Sequence, residues 1–213
     1  MSHTSLRTRT SLRQLHVAVE LAGSGHHPAS ASAVGTRPVI GPDYWLDLTV
    51  PVAESERLDL SAYPRHVVRI RAADLREAQI ERARIRTELA DDGRDPDDVT
   101  VLVDLEVLIA ADARSARREL ARLDSEWGAP RTPVSLQYVG TPLGLAGLIA
   151  DITAAGVADG VTLLPLTLPG VLEQVVDTTL PWLESRGLTT TSEAVDQALR
   201  SFGLAPRERE LAS

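Results

Sequence analysis

Apolar residues in this chain recur either at helical spacing or in short extended runs, and the two patterns alternate. The plainest stretch runs from 134 to 187. Ser135-Leu-Gln-Tyr-Val-Gly-Thr-Pro142 predicts a short strand that stops at a Gly-Thr-Pro turn. Leu143, Leu145, Leu148, Ile149 and Ile152 then mark one face of a helix, which Ala154-Ala-Gly156 ends. Residues 158–165 read as a second buried strand. The helix that begins near Pro169 carries Val171, Leu172, Val175, Val176 and Leu180 on one face, with Glu173, Gln174 and Asp177 opposite. Strand, helix, strand, helix with tight connections is the pattern of parallel βα units.

The same reading extends upstream. Residues 15–21 form a first strand, and Ala22-Gly-Ser-Gly-His-His-Pro28 is a turn that cannot continue it. Arg37-Pro-Val-Ile40 resumes an extended tendency, 44–50 alternates as a strand, and 54–60 suits a short helix. A strand at 66–70 precedes a helix at 75–90, whose Arg84 is spaced to pair with Glu81 and Glu88, and Gly93 closes it. Residues 98–109 are too long for one ordinary strand, so a bend or bulge is expected near Asp104 and Glu106. Residues 110–123 are helical, and Ala194, Val195, Ala198, Leu199 and Phe202 give a last amphipathic helix. That makes five or six strands, all compatible with parallel order, where a closed barrel needs eight. Residues 1–14, rich in Ser, Thr and Arg without periodicity, read as a disordered leader, leaving 15–213 as a single α/β domain.

Composition narrows the partners. The 213 residues are 43% apolar but only 3% aromatic, so the core is aliphatic and base stacking is an unpromising mode of recognition. A net charge of −8, with every basic residue an Arg scattered among acids, argues against nucleic acid and anionic membrane surfaces. The absence of Cys excludes disulfides and thiolate chemistry and suits the cytoplasm. No apolar run approaches the roughly 20 residues of a membrane helix.

Several motifs, in this order, resemble the bacterial-luciferase-like flavin monooxygenases, in the branch of the nitrilotriacetate and dibenzothiophene-sulfone monooxygenases. Leu15-His-Val-Ala-Val19 with Gly25-His-His-Pro28 is similar to that family's first strand and its "GxHPAAWR" loop. Ala90-Asp-Asp-Gly-Arg-Asp-Pro-Asp-Asp-Val99 is similar to its "AAGRDPDDV" link. Tyr138-Val-Gly-Thr-Pro142, Ala155-Gly-Val-Ala-Asp-Gly-Val-Thr-Leu-Leu-Pro165 and the stretch from Leu168-Pro169 to Gly187-Leu188 resemble its closing segments. The resemblance implies an α/β fold, an incomplete or shortened TIM-type (β/α) barrel with mostly parallel strands. Several central βα units of a full-length relative have no counterpart here.

The candidate site residues follow from position. His26 and His27 lie just beyond the first strand, at the C-terminal edge where parallel barrels place their chemistry, and could face flavin or substrate; the alternative is a solvated turn. Gly140 and Thr141 offer backbone N–H groups at a helix N-terminus, although Thr141 before Pro142 is equally a plain N-cap. The resemblance adds Gly41 and Tyr44, which stand where relatives place a phosphate loop; Asp43 between them would repel a phosphate unless it points away. Asp104 and Glu106 share one face of their strand, and either front a barrel interior or sit near a strand end in water, the second being favoured. His16 and His66, inside strands, read as satisfied structural residues. No metal-ligand spacing occurs. The resemblance implies an FMN-dependent monooxygenase that takes reduced flavin from a separate flavin reductase. The competing expectation is an inactive flavin-binding or partner subunit. Missing barrel units would leave edges to be covered by a homo-oligomer or a full-length luciferase-like partner.

Overall fold

The computed structural model describes residues 14–21, 26–29, 45–49 and 66–201. The expectations for 1–13, 37–40, 54–60 and Phe202 fall outside them. The elements in order are β1 (His16–Glu20), β2 (Trp45–Asp47), β3 (Val67–Ile70), α1 (Leu75–Asp91), β4 (Thr100–Ile109), α2 (Ala113–Trp127), β5 (Leu136–Gly140), α3 (Pro142–Ala154), β6 (Gly160–Pro165), α4 (Gly170–Gln174), α5 (Leu180–Ser185) and α6 (Ala194–Ser201). One turn of 3-10 helix, Pro96–Asp98, leads into β4, and a π-helical segment, Val175–Thr179, joins α4 to α5. The widened turn has a local cause. Pro181 has no N–H to give Asp177, and its ring would meet that carbonyl in a regular α-helix. Leu180 N–H bonds Val175 instead, five residues back.

The sheet is organised around β4. One of its edges pairs in parallel with β6, from Leu102 opposite Gly160 to Val107 opposite Pro165, one residue for one. Its other edge is shared in succession by β3, opposite Thr100 to Val103, and β5, opposite Leu105 to Ile109, both parallel. Two partners end to end explain ten consecutive strand residues: the register is unbroken, without a bulge, and the partner on one edge changes at Asp104. β6 pairs in parallel with β1, and β1 pairs antiparallel with β2. The sheet is therefore mostly parallel, and β2 departs from the all-parallel order read from the sequence. The result is a curled half-barrel with helices on its outer face.

Strand periodicity sorts the residues between two faces. Val17, Val19, Val101, Val103, Leu105, Val107, Val161 and Leu163 face the helices and form the main aliphatic core with Ile85, Leu145, Ile149, Val171 and Leu180. The opposite, concave face carries Ala18, Leu102 and Trp45 as a small apolar cluster, and beside the apolar Leu108 and Leu164 it holds the polar Glu20, Arg69, Asp104, Glu106 and Thr162. Helix starts are fixed by side-chain caps: Asp74 accepts from Glu77 N–H (2.8 Å) and Asp112 from Ser115 N–H (2.8 Å). Gly128 ends α2 in the left-handed conformation, φ 89°.

Asp159, in the turn before β6, ties α1 to the sheet. It accepts Val101 N–H (2.8 Å) and an Arg82 amino group (2.7 Å), and it pairs with Arg86. Burial works to raise its pKa and is outweighed by the Val101 N–H and the two guanidiniums, which hold the carboxyl below the usual range. Its folded pKa thus lies below its unfolded one, so its contribution to stability is present above the ordinary carboxylate range and is lost as pH falls through the folded value. In urea titrations Asp159→Asn is expected to be less stable than the parent at pH 7, with the gap closing below about pH 4. A gap independent of pH would contradict this.

Candidate functional site

The concave face holds a buried ion network. Arg69, on β3, lies between two acids: it bonds Asp104 through Nε (2.7 Å) and Nη2 (2.9 Å) and Glu20 through Nη1 (2.8 Å). Asp104 and Glu20 are only 1% and 3% exposed. Burial opposes the Arg69 charge, but Asp104 and Glu20 more than compensate, and its pKa lies above the ordinary value. Arg71 adds a further bond to Asp104 through Nε (3.1 Å). Two strand positions further on, fully buried Glu106 takes the Arg131 guanidinium and Val134 N–H (2.8 Å). Asp104 and Glu106 are therefore interior residues in mid-strand, not the solvated strand-end pair favoured from sequence. Trp45 Nε1 donates to Thr162 (3.2 Å) on the same face, and His16 Nδ1 meets Asp47 (3.0 Å).

His26 and His27 lie together at the C-terminal ends of β1 and β6, in different states. His27 is fully buried. Its backbone N–H bonds Leu166 O (2.9 Å), its Nδ1 accepts Ala29 N–H (3.2 Å), and its Nε2 meets Asp124 (3.1 Å). A nitrogen that accepts carries no proton, so the proton is on Nε2 and donates to Asp124, and both ring nitrogens are committed. Asp124 also accepts Arg131 N–H (3.0 Å), and this bond, followed by His27, keeps its carboxyl below the usual range. His27 thus anchors the loop to α2 and, through Arg131, to buried Glu106. His26 is half-buried; its Nδ1 lies 2.6 Å from Pro165 O and must donate to it. That leaves His26 Nε2 with no partner among the described residues, an acceptor whenever the ring is neutral.

Gly140 and Thr141 lie at the end of β5, away from this pair. Thr141 Oγ1 accepts Gly144 N–H (3.1 Å), Thr141 O accepts Leu145 N–H (2.9 Å), and the Tyr138 hydroxyl takes Thr141 N–H (3.3 Å). The hydroxyl sits 2.5 Å and 2.1 Å from where Cβ atoms on Gly140 and Gly144 would be, so the phenol fills the space that the glycines leave. These amides are engaged within the chain, and Thr141 acts as the N-cap. The bonds to Thr141 N–H, Gly144 N–H and Leu145 N–H are thus all made within the chain. Gly41 and Tyr44 lie outside the described residues.

Sequence reading missed Glu20, Arg69, Arg71, Asp124 and Arg131 as members of this region. A signal existed for some of them. Glu20, Arg69 and Asp104 are charges inside otherwise apolar strands, which is uncommon unless each finds a partner. Nothing local connected Asp124 or Arg131 to His27 and Glu106, because the pairs are 97 and 25 residues apart in the chain. Among the described residues no group of His, Asp or Glu could hold a metal, and no helix is long and apolar enough to cross a membrane.

No family model and no curated protein matches the chain. Solved structures do. A long-chain alkane monooxygenase superposes with a TM-score of 0.52 at 16% identity, over 63% of this chain and 41% of that one. A riboflavin lyase, crystallised with modified FMN and riboflavin, gives 0.50 at 17% identity, over 66% and 43%. An EDTA monooxygenase from Chelativorans sp. BNC1 gives 0.52 at 16% identity, over 65% and 46%. The chain matches less than half the length of each. At such identities the likeness speaks for the fold, and with the half-barrel and its strand order it leads to one conclusion: this chain has, over the part that it matches, the fold of the luciferase-like flavin monooxygenases.

Proposed function

We propose that this protein is flavin-associated and that His26, at the C-terminal edge of β1 and β6, is its contact with FMN. The observation that carries the reading is the state of His26: Nδ1 is fixed by Pro165 O, and Nε2 is left as an acceptor at the edge where parallel barrels bind ligands. His27, with both nitrogens bonded, holds the loop in place and is a positioning residue. In the fuller form of the proposal the protein is an FMN-dependent monooxygenase, supplied with reduced flavin by a separate reductase, and bound flavin would provide the oxygen-activating chemistry. His26 Nε2 would then accept a hydrogen bond from flavin or substrate.

Two observations favour the second reading, an inactive flavin-binding or partner subunit. The Thr141 and Gly144 amides are already bonded within the chain, and the concave acids are neutralised by Arg69, Arg71 and Arg131 rather than left to act on a ligand. The enzyme and the flavin-binding form of the second reading share the flavin; a partner subunit need not bind it. Titration with FMN, followed by absorbance and fluorescence, is expected to saturate, and His26→Ala to weaken binding about tenfold, roughly the loss of one ligand hydrogen bond. Absence of any FMN binding would sink the proposal. Oxygen consumption with reduced FMN then separates catalyst from binder, and light scattering tests the expected oligomer.

A further inference from the structure

The inner ion network has an outward end that the flavin reading does not use. Between the end of β3, the start of α1 and the segment leading into β5 lies an open cleft of about 240 Å³, lined by Arg71, Ala72, Ala73, Glu77, Pro133, Val134 and Ser135. Most of its polar groups are committed. The Ser135 hydroxyl donates to Asp104 O (2.8 Å) and accepts Ala72 N–H (3.2 Å), and Ala73 N–H is bonded to Glu77 Oε2 (2.6 Å). Two side-chain functions remain open among the described residues. One is the pair of terminal amino groups of Arg71, whose Nε is held by buried Asp104 while the side chain is 55% exposed. The other is Glu77 Oε1.

A cleft with one free guanidinium fork, one free carboxylate oxygen and an apolar wall is complementary to a zwitterion. A guanidinium fork suits a carboxylate, and its orientation is set in advance because Asp104 holds the Nε and is itself clamped by Arg69. Glu77 would repel a second negative charge and thereby discriminate against phosphates and dicarboxylates, while accepting from an ammonium. Pro133 and Val134, the latter 43% exposed, offer apolar contact to a short side chain. The volume is below the roughly 300–1,000 Å³ of sites for drug-sized ligands, so the ligand is small. We propose that this cleft binds a zwitterionic α-amino acid with a small apolar side chain, its carboxylate on Arg71 and its ammonium on Glu77.

The test uses the full chain labelled with ¹⁵N and titrated with L-leucine, 4-methylpentanoate (carboxylate alone) and isoamylamine (ammonium alone). Saturable amide shifts are expected at Ala72, Ala73, Val134 and Ser135 with leucine at about millimolar affinity, and binding about tenfold weaker or worse with either monofunctional probe. Arg71→Gln and Glu77→Gln should each weaken leucine binding about tenfold with the rest of the spectrum retained. Either side chain is at the surface, and the Gln at 77 still accepts Ala73 N–H, so the fold survives both changes. No saturable shift with leucine, equal binding of a monofunctional probe, or undiminished binding by either variant would each overturn the proposal. None of these outcomes depends on flavin.

Discussion

Asp104→Ala is expected to destabilise the protein by about 3–5 kcal/mol, the cost of leaving a buried ionic partner uncompensated. Arg69 is only 10% exposed and is paired with two acids; without Asp104 it loses the acid that takes two of its hydrogen bonds, and Arg71 loses the group that holds its Nε. The loss comes mainly from the stranded guanidinium, since a well-paired buried network adds little net stability over apolar residues of similar size. Replacing Glu20, Arg69 and Asp104 together by Met, Met and Leu should therefore cost less than removing Asp104 alone. Urea unfolding of both variants at pH 7 checks this. An Asp104→Ala protein within about 1 kcal/mol of the parent would mean that water reaches the network.

Gly160→Ala is expected to cost roughly 3 kcal/mol or more, at the upper end for overpacking, because the added methyl meets main chain rather than a movable side chain. An ideal Cβ at this position lies 2.0 Å from His16 O, 2.7 Å from His16 C and 2.8 Å from His16 N. Gly160 opens β6 between β1 and β4, opposite both His16 and Leu102, so the strands would have to separate where the sheet curls. Gly147→Ala is the control. Its Cβ would meet nothing within 4 Å, and inside α3 the change should stabilise by about 0.5–1 kcal/mol. Thermal and urea midpoints of the two variants should move in opposite directions, and a Gly160→Ala midpoint equal to the parent's would refute the close approach.

These two positions also show how far local pattern reaches. The βα alternation from 134 to 187, the Arg84 pairing with Glu81 and Glu88, and the Thr141 cap before Pro142 all formed as the pattern predicts. Each depends on neighbours within about five residues, and so is written in periodicity and capping chemistry. The length of β4 was legible too, but its cause was not. A strand that changes partners at Asp104 looks, in one dimension, the same as a strand with a bulge. Likewise Gly160 gave no sign in the chain that His16, so distant in sequence, would press against it.

The candidate site divides along the same line. Position after the first strand was enough to bring His26 and His27 to the C-terminal edge, since a parallel strand that closes beside β6 can deliver its following loop nowhere else. Their unlike states depend on Ala29 N–H, Asp124 and Pro165 O. The sequence by itself determined aliphatic βα units without cysteine and, through the family resemblance, an incomplete barrel and the edge at which its loops meet. Only the tertiary structure decided which charges are buried and paired and which imidazole nitrogen is left open, because each is settled by where a distant donor or acceptor comes to rest.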